Sequence, residues 1–462
     1  MKLYKICSAE CFPIIVQQND GHFPAGECFN FVRSRARLNC VNAIREQVNE
    51  QTSFLDLSMV YGVSDAEATS LRTLSGGLLK TVLNKLPKGP DEQCELSRPS
   101  DAQSYYCTEA GDPRSDEQPG LASIHTIWAR EHNRLAAQLA TNHPSWTDEK
   151  VFQEARKINI AEWQHIVYNE YLPVTIGMAT MQAYNIHIDA TGHKDTYDIS
   201  TDPTIRNAFG AAIFRFGHTL VSDKIALANL GDETILNEQD LKFNFFEPEL
   251  YHSNANDATD NILKWTAATP CLLSDRKLQA SIQKFLFLDA LNKSADLATL
   301  NIQRGRDHGV PSYNEFRAYC NLPRAFNFGV GGGGFVDHDQ DVVTLLSNAY
   351  MYPDDVDLFT GYISERRISD SQLGPTGQCL FALQFLALRN GDRFFYERND
   401  PLIAFTQGQL MEIKEVRMST VFCLNTAAHT GKRVQLNMFR QEEAGNPFVD
   451  CYNVQGIDLT LW

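Results

Sequence analysis

Apolar residues recur at helical spacing through most of the chain after residue 120, and the strict apolar–polar alternation of a half-buried strand is scarce. Pro119 followed by Ile124, Ile127, Trp128, Leu135 and Leu139 predicts a helix with proline in its first turn. Thr147 stands ahead of an acidic turn and the long segment DEKVFQEARKINIAEWQHIVYNEYL, which predicts a second helix capped by the threonine hydroxyl. Asp202-Pro203 supplies a cap and a first-turn proline before IRNAFGAAIFRFGHTL and predicts a third. Thr406 and Gln409 make a capping-box pattern ahead of Leu410, Ile413 and Val416, which share one apolar face. No internal repeat is evident, and no Pro/Gly/Ser-rich linker is long enough to force a boundary. The expected protein is mainly α, with long loops and little β, in a single domain over residues 1–462.

Composition narrows the class of partner. The 462 residues are 43% hydrophobic and 21% charged, as in an ordinary globular protein. Their formal net charge of -16 argues against nucleic acid and anionic membrane surfaces, both of which call for basic patches. No stretch approaches the roughly 18–20 apolar residues of a membrane span. The opening MKLYKICSAECFPIIV reads poorly as a signal peptide, because Glu10 and two cysteines interrupt its apolar region. The 11 cysteines lie in loop-like contexts without a paired CxxC, which favours disulfides and an oxidising compartment over zinc; an odd count leaves at least one without an internal partner. The sequon Asn292-Lys293-Ser294 is compatible with secretion.

Three segments carry candidate chemistry. In GGGGFVDHDQD, residues 331–341, His338 stands between Asp337 and Asp339; the glycine-rich context predicts a solvated loop rather than a metal or catalytic site. His218 shares a helical face with Ala211, Phe214 and Val221, and an imidazole in such a stripe, taken alone, reads as a satisfied core residue. The segment LNIQRGRDHGVPSYNEFRAYC, residues 300–320, places Asn301, Arg304, Arg306, Asp307 and His308 within eight positions, read as the start of a loop. Such polar density is costly to bury unless it binds something.

FRFGHTL followed by LNIQRGRDHGVPSYNEFR resembles the animal haem peroxidase family, the group of myeloperoxidase, peroxidasin and peroxinectin-like proteins. AGDPRSDEQPGLASIHTIWAREHNRLA at 110–136, QTSFLDLSMVYG at 51–62 and DVDLFTG at 355–361 extend the resemblance over essentially the whole chain. It implies a helical core around haem b, with His218 as the proximal iron ligand and Asn301 accepting a hydrogen bond from its other ring nitrogen. Arg215 and Arg304 would lie near the haem propionates. Arg114 would be the distal arginine that stabilises charge developing as peroxide cleaves, and Glu117 the carboxylate esterified to a haem methyl. Gln118 occupies a place where some members bond a methionine to haem, so no sulfonium link and no speciality in chloride oxidation are expected. Thr52, the Phe54 carbonyl, Asp56 and Ser58 resemble the family's calcium loop and supply about five of the roughly six to eight oxygens Ca²⁺ takes.

The implied activity is oxidation of small donors, such as halides, thiocyanate or phenols including tyrosine, by hydrogen peroxide, in a secreted protein. The alternative is a non-catalytic haem-binding adhesion or matrix protein of peroxinectin type, with an extracellular-matrix or cell-surface partner. The family also carries a distal Asp-His-Asp motif ahead of CFP, which here begins at Cys11. No histidine precedes His22, itself in an exposed turn-like segment, so the chain is expected to be N-terminally incomplete and impaired in turnover. By similarity Cys94 pairs with Cys107, Cys320 with Cys379, Cys423 with Cys451 and Cys7 with Cys28. Cys11 would then lack a partner, while Cys40 and Cys271 stay unassigned.

Overall fold

Pro119 lacks the N–H that a first helical turn leaves unused, and the Gln118 side chain accepts from Gly120 N, so a helix starts where the sequence predicts: α1, Pro119–Asn142. In the computed structural model, which describes residues 11–37, 44–90, 105–253 and 258–462, α1 is the longest helix and the axis of the core. It packs on α2, Asp148–Ile166, whose cap is Thr147 as expected, and on α3, Ala258–Ala268. Ile127, Trp128, Leu135 and Leu139 are buried along this seam, where each large side chain contributes roughly 1.5–3 kcal/mol. Arg130 ties three helices together. It meets Asp260 of α3 at 2.5 Å and donates to the carbonyl of Asn425 at 2.8 Å, at the end of a helix running from Met418 to Asn425.

The rest of the polypeptide is helical with little β, as the pattern implied: among the described residues three two-stranded antiparallel sheets form, the largest pairing β1, Lys224–Ala228, with β2, Ile235–Asp240. Thr406 and Gln409 form the expected reciprocal cap, and Leu410, Ile413 and Val416 are buried together. Two apolar clusters result, a large one centred on α1 and α2 and a smaller one beneath β1 and α3.

Two stretches fold differently from their patterns. Asp202 spends its carboxylate on Thr204, and the helix after it runs only from Asn207 to Ala211. Ala212 then leaves helical geometry, with φ -135° and ψ -64°, and a 3₁₀ run, Ile213–Leu220, carries Arg215 and His218. The buried Tyr362 hydroxyl lies 3.0 Å from the carbonyls of Ala212 and Ile213 and so satisfies acceptors released at the break. The polar segment read as a loop is instead helical: α4, Leu297–Asp307, capped by Asp296, which accepts from Thr299 N at 3.1 Å.

The glycine-rich segment is a second correction. His338 is 0% exposed, not solvated. Its Nε2 donates to the carbonyl of Gly361 at 3.0 Å, and its ring meets Phe335 and Tyr313 edge-on. Asp337 pairs with the buried Arg317 at 2.6 Å, and Arg366 donates to the carbonyls of Val336 and His338. The glycines let the chain turn tightly enough to press His338 inward while Asp339 stays exposed: Phe335 N bonds back to Gly329 O at 2.6 Å. Gly361 is required where Tyr313 lies against it, since a Cβ there would come within 2.4 Å of the ring.

Cys320–Cys379 and Cys423–Cys451 are disulfide-bonded as expected by similarity. Cys107 is also disulfide-bonded, while its expected partner Cys94 lies outside the described residues. The Cys7–Cys28 expectation fails at Cys28, an exposed free thiol beside the carbonyl of Phe29; Cys7 and Cys40 lie outside the described residues. Cys271 is likewise exposed and free.

Burial holds the His338 pKa down to about 4, with Arg317 adding to the effect. As pH falls from about 6.5, the ordinary value for histidine, toward 4, the unfolded chain takes up a proton that folded His338 refuses, so stability is lost over that window. His338→Leu is therefore expected to cost about 1–3 kcal/mol at pH 7, by orphaning the Gly361 carbonyl, and to make the decline below pH 6.5 shallower. Urea titrations at a series of pH values measure both; an unchanged slope would contradict the assignment.

Candidate functional site

His218 and Arg215 reach α4 from the 3₁₀ run. The Asn301 amide, 0% exposed, lies between them: its Oδ1 accepts from Arg215 Nη1 at 2.7 Å, and its Nδ2 donates to His218 Nδ1 at 2.9 Å. The pairing of His218 with Asn301 is as the sequence implied, but its sense is reversed, because Arg215 claims the amide oxygen and leaves the nitrogen to face the ring. Turning the amide would set Nδ2 against Arg215, donor to donor, so such a turn goes together with displacement of Arg215.

Burial, and secondarily Arg215, lowers the His218 pKa to about 4, which keeps the imidazole neutral at physiological pH. Its Nε2 has no partner among the described residues, although the ring is only half-buried. Among the described residues Arg215 makes no carboxylate contact: its other bond runs from Nε to the Gly210 carbonyl. Its own pKa is lowered to about 10, by burial first and then by repulsion from Arg304 and Arg114. Three guanidinium groups therefore act on one region in which the half-buried cation Arg215 is not neutralised. A neutral imidazole with an open nitrogen beside such a cation fits haem, which offers iron to the first and propionates to the second.

Arg304 is anchored more firmly than a propionate contact alone would need. It donates to the Val32 carbonyl, to Ser34 Oγ and to Asp307, and lies 4.0 Å over the Phe31 ring. Asp307, buried at the end of α4, also accepts from Arg33 Nε at 2.6 Å and from Ser34 N at 2.8 Å. His308 bridges Ser34 Oγ and Asn207 Oδ1, each at 2.6 Å. Arg306 pairs outward with Asp357 at 2.8 Å. The RGRDH cluster thus clasps residues 31–34 and the Asn207 helix onto the element that carries Asn301.

Arg114 projects to solvent, its side chain 66% exposed, and holds Asp112 through a 2.6 Å ion pair. Glu117, half-buried, has its carboxyl pKa raised by burial, with Arg114 opposing the rise and Asp112 adding to it. Asp112, which fixes Arg114, was not singled out in the sequence; its place two residues before the arginine is the only signal. Tyr362 was missed for want of any local pattern, since its partners lie some 150 positions earlier.

In the 52–58 loop, Thr52 Oγ1 lies 2.8 Å from Asp56 Oδ1 and 3.2 Å from Ser58 Oγ, and Asp56 Oδ1 also accepts from Ser58 N. Phe54 lies in the same loop with its ring exposed. Two hydroxyl oxygens thus lie beside one carboxylate, and no group of three or more His, Cys, Asp or Glu side chains suited to a metal occurs among the described residues, around Asp337-His338-Asp339 or elsewhere.

The site is thus a neutral histidine braced by an asparagine from a second helix within a mainly helical core. The family model for animal haem peroxidases matches residues 3–439, and the chain belongs to that family. A peroxidase-like protein of Margaritifera margaritifera is 35% identical over 97% of this chain and 58% of its own length. The human peroxidasin homolog is 34% identical over 99% and 31%, and a Drosophila melanogaster peroxidase 34% over 98% and 66%. The chain therefore spans between about a third and two thirds of these relatives. Peroxidase A from Dictyostelium discoideum superposes with a TM-score of 0.78 at 28% identity, covering 94% of this chain and 83% of that one. A fatty acid alpha-dioxygenase from Oryza sativa shares the fold, with a TM-score of 0.70 at 18% identity over 88% of this chain and 69% of its own.

Asp307→Ala is expected to cost about 3 kcal/mol, because it leaves Arg33, Arg304 and Ser34 N without their shared acceptor. Chemical denaturation of the haem-free protein checks this, and a loss below about 1 kcal/mol would mean that the clasp is not a stabilising element.

Proposed function

We propose that the protein binds haem b through His218 Nε2 and uses hydrogen peroxide to oxidise small donors such as halides, thiocyanate or phenols including tyrosine. The observation that carries this reading is the half-buried, neutral His218, open at Nε2 and set beside the unneutralised Arg215. Haem supplies the iron that reduces peroxide by two electrons. This chain's residues hold and tune that group. With Arg215 engaged by an anionic group of haem, the Asn301 amide would be free to turn and accept the proton on His218 Nδ1, and Nε2 would be the atom that holds the iron. Glu117 would form the ester to haem, Arg304 would meet a propionate, and Thr52, the Phe54 carbonyl, Asp56 and Ser58 would supply calcium ligands. We assign the protein to the extracellular space with the family; no described helix is long and apolar enough to cross a membrane.

The distal side limits turnover. Arg114 can stabilise charge on cleaving peroxide once it swings from Asp112. His22, the histidine that precedes Arg114 in the given sequence, is exposed and lies edge-on to Phe285, so it would not carry the proton that must pass between the two peroxide oxygens. General acid–base help of this kind is worth roughly 10²–10⁴ in rate. The engagement of Arg114 with Asp112 favours a second reading, in which the domain keeps haem for a structural role in an adhesion or matrix protein of peroxinectin type.

Reconstitution with haem should give a Soret band that His218→Ala abolishes or strongly displaces, while an identical spectrum in the variant would remove His218 from the iron. Stopped-flow mixing of the 462-residue holoprotein with peroxide and a phenolic donor should show turnover lower, by that same 10²–10⁴, than in a family member with a distal histidine. Full-rate donor oxidation would place another base beside the iron.

A further inference from the structure

Between the short helix Ala280–Gln283 and α4, the chain makes a protruding turn that carries its one Asn-X-Ser/Thr sequon, Asn292-Lys293-Ser294. Leu286 and Ala295 close the base of the turn by exchanging backbone hydrogen bonds of 3.3 and 2.9 Å. Asp289 closes its tip. Its Oδ1 accepts from Leu291 N at 2.9 Å and from Lys293 N at 2.8 Å, its own N donates to the Lys293 carbonyl, and its carbonyl accepts from Asn292 N at 2.9 Å.

These bonds use the backbone of the tip and leave the Asn292 side chain outside. Leu291, Asn292 and Lys293 are all exposed, and the Asn292 amide has no hydrogen-bond partner among the described residues. Its φ of 60° explains an asparagine at the tip, because that side chain tolerates the left-handed region better than most. Backbone geometry does not explain the hydroxyl two residues on. Asn84, Asn185 and Asn321 also have positive φ, and they are followed at that position by leucine, histidine and proline. Ser294 turns inward in the folded chain, its Oγ donating to the Lys284 carbonyl at 2.6 Å, so the hydroxyl is accommodated while the amide stays outside. A bulky, hydrated group on that amide would meet solvent and would cover Leu291, an apolar side chain left 77% exposed.

We propose that Asn292 is a modification site that carries an N-linked oligosaccharide, transferred from a lipid-linked diphosphate donor. In the transfer a bond forms between Asn292 Nδ2 and the anomeric carbon of the sugar. The bond from that carbon to the diphosphate oxygen breaks, its electron pair leaves with the lipid diphosphate, and Nδ2 gives up one proton. The inference rests on the extracellular reading, because the donor faces the lumen of the secretory pathway. It does not depend on haem or on peroxide turnover.

Expression of the 462-residue chain behind a secretion signal in cultured animal cells tests the acceptor. Peptide N-glycosidase F is expected to increase the gel mobility of the secreted protein by one step and to convert Asn292 to aspartate, which peptide mass spectrometry locates. Asn292→Gly is expected to abolish that step, and glycine suits the backbone there because it adopts positive φ without strain. Secreted protein without a glycan, or a step that persists in Asn292→Gly, would overturn the proposal and leave the extracellular reading standing. Native protein confined to the cytosol of its source cells would overturn both. Should Asn292→Gly be retained inside the cells, the digestion of the lysate and the mass of the wild-type peptide decide.

Discussion

One buried amide organises the centre of this molecule. Asn301 reaches from α4 to the 3₁₀ run and holds His218 with one end and Arg215 with the other. A buried polar side chain bonded at both ends fixes the relative position of the elements it joins, because moving either one leaves a donor or acceptor of the buried amide unmatched. The rest of the proximal structure is arranged around that constraint. Tyr362 takes the carbonyls released where the preceding helix ends, Asp307 and His308 clasp α4 to residues 31–34 and to Asn207, and His338 secures the chain at Gly361, next to Tyr362.

Electrostatics work with the same geometry. The chain is acidic as a whole, yet after burial Arg304 and then Arg114 contribute to lowering the pKa of Arg215. Arg114 and Arg304 each have a carboxylate, Asp112 and Asp307, whereas among the described residues Arg215 has only the oxygens of Asn301 and Gly210. In the proposed reading that asymmetry would direct an anionic group of the cofactor toward Arg215 and, through Asn301, couple its arrival to the state of the His218 ring. Burial keeps the ring neutral, which is the form that binds a metal.

Much of this was legible in the sequence where one local rule was enough. The starts of α1 and α2 followed from Pro119 and Thr147, and the Thr406 capping box from a four-residue pattern. The motifs FRFGHTL and LNIQRGRDH were enough to place His218 with Asn301. What escaped depended on distant partners. The 202–220 helix breaks at Ala212, where a tyrosine some 150 residues away caps the carbonyls, and no periodicity encodes that. The RGRDH residues looked too polar for a helix interior until Arg33, Ser34 and Asn207 supplied their acceptors and donors. His338 looked solvated because glycine and aspartate surround it, whereas Arg317, Arg366 and Gly361 pull it inward. The direction of the Asn301 bond turned on Arg215, whose nearness was foreseen but whose claim on the amide oxygen was not.

The central claim is that Asn301 controls His218 as an iron ligand. Resonance Raman spectra of the ferrous, haem-reconstituted protein report the iron–imidazole stretch directly. The wild-type protein is expected to show that band, and Asn301→Asp to move it to higher frequency, because a carboxylate accepts more strongly from Nδ1 and makes the ring a better donor to iron. Absence of an iron–imidazole band, or a band that does not move in Asn301→Asp, would contradict the account.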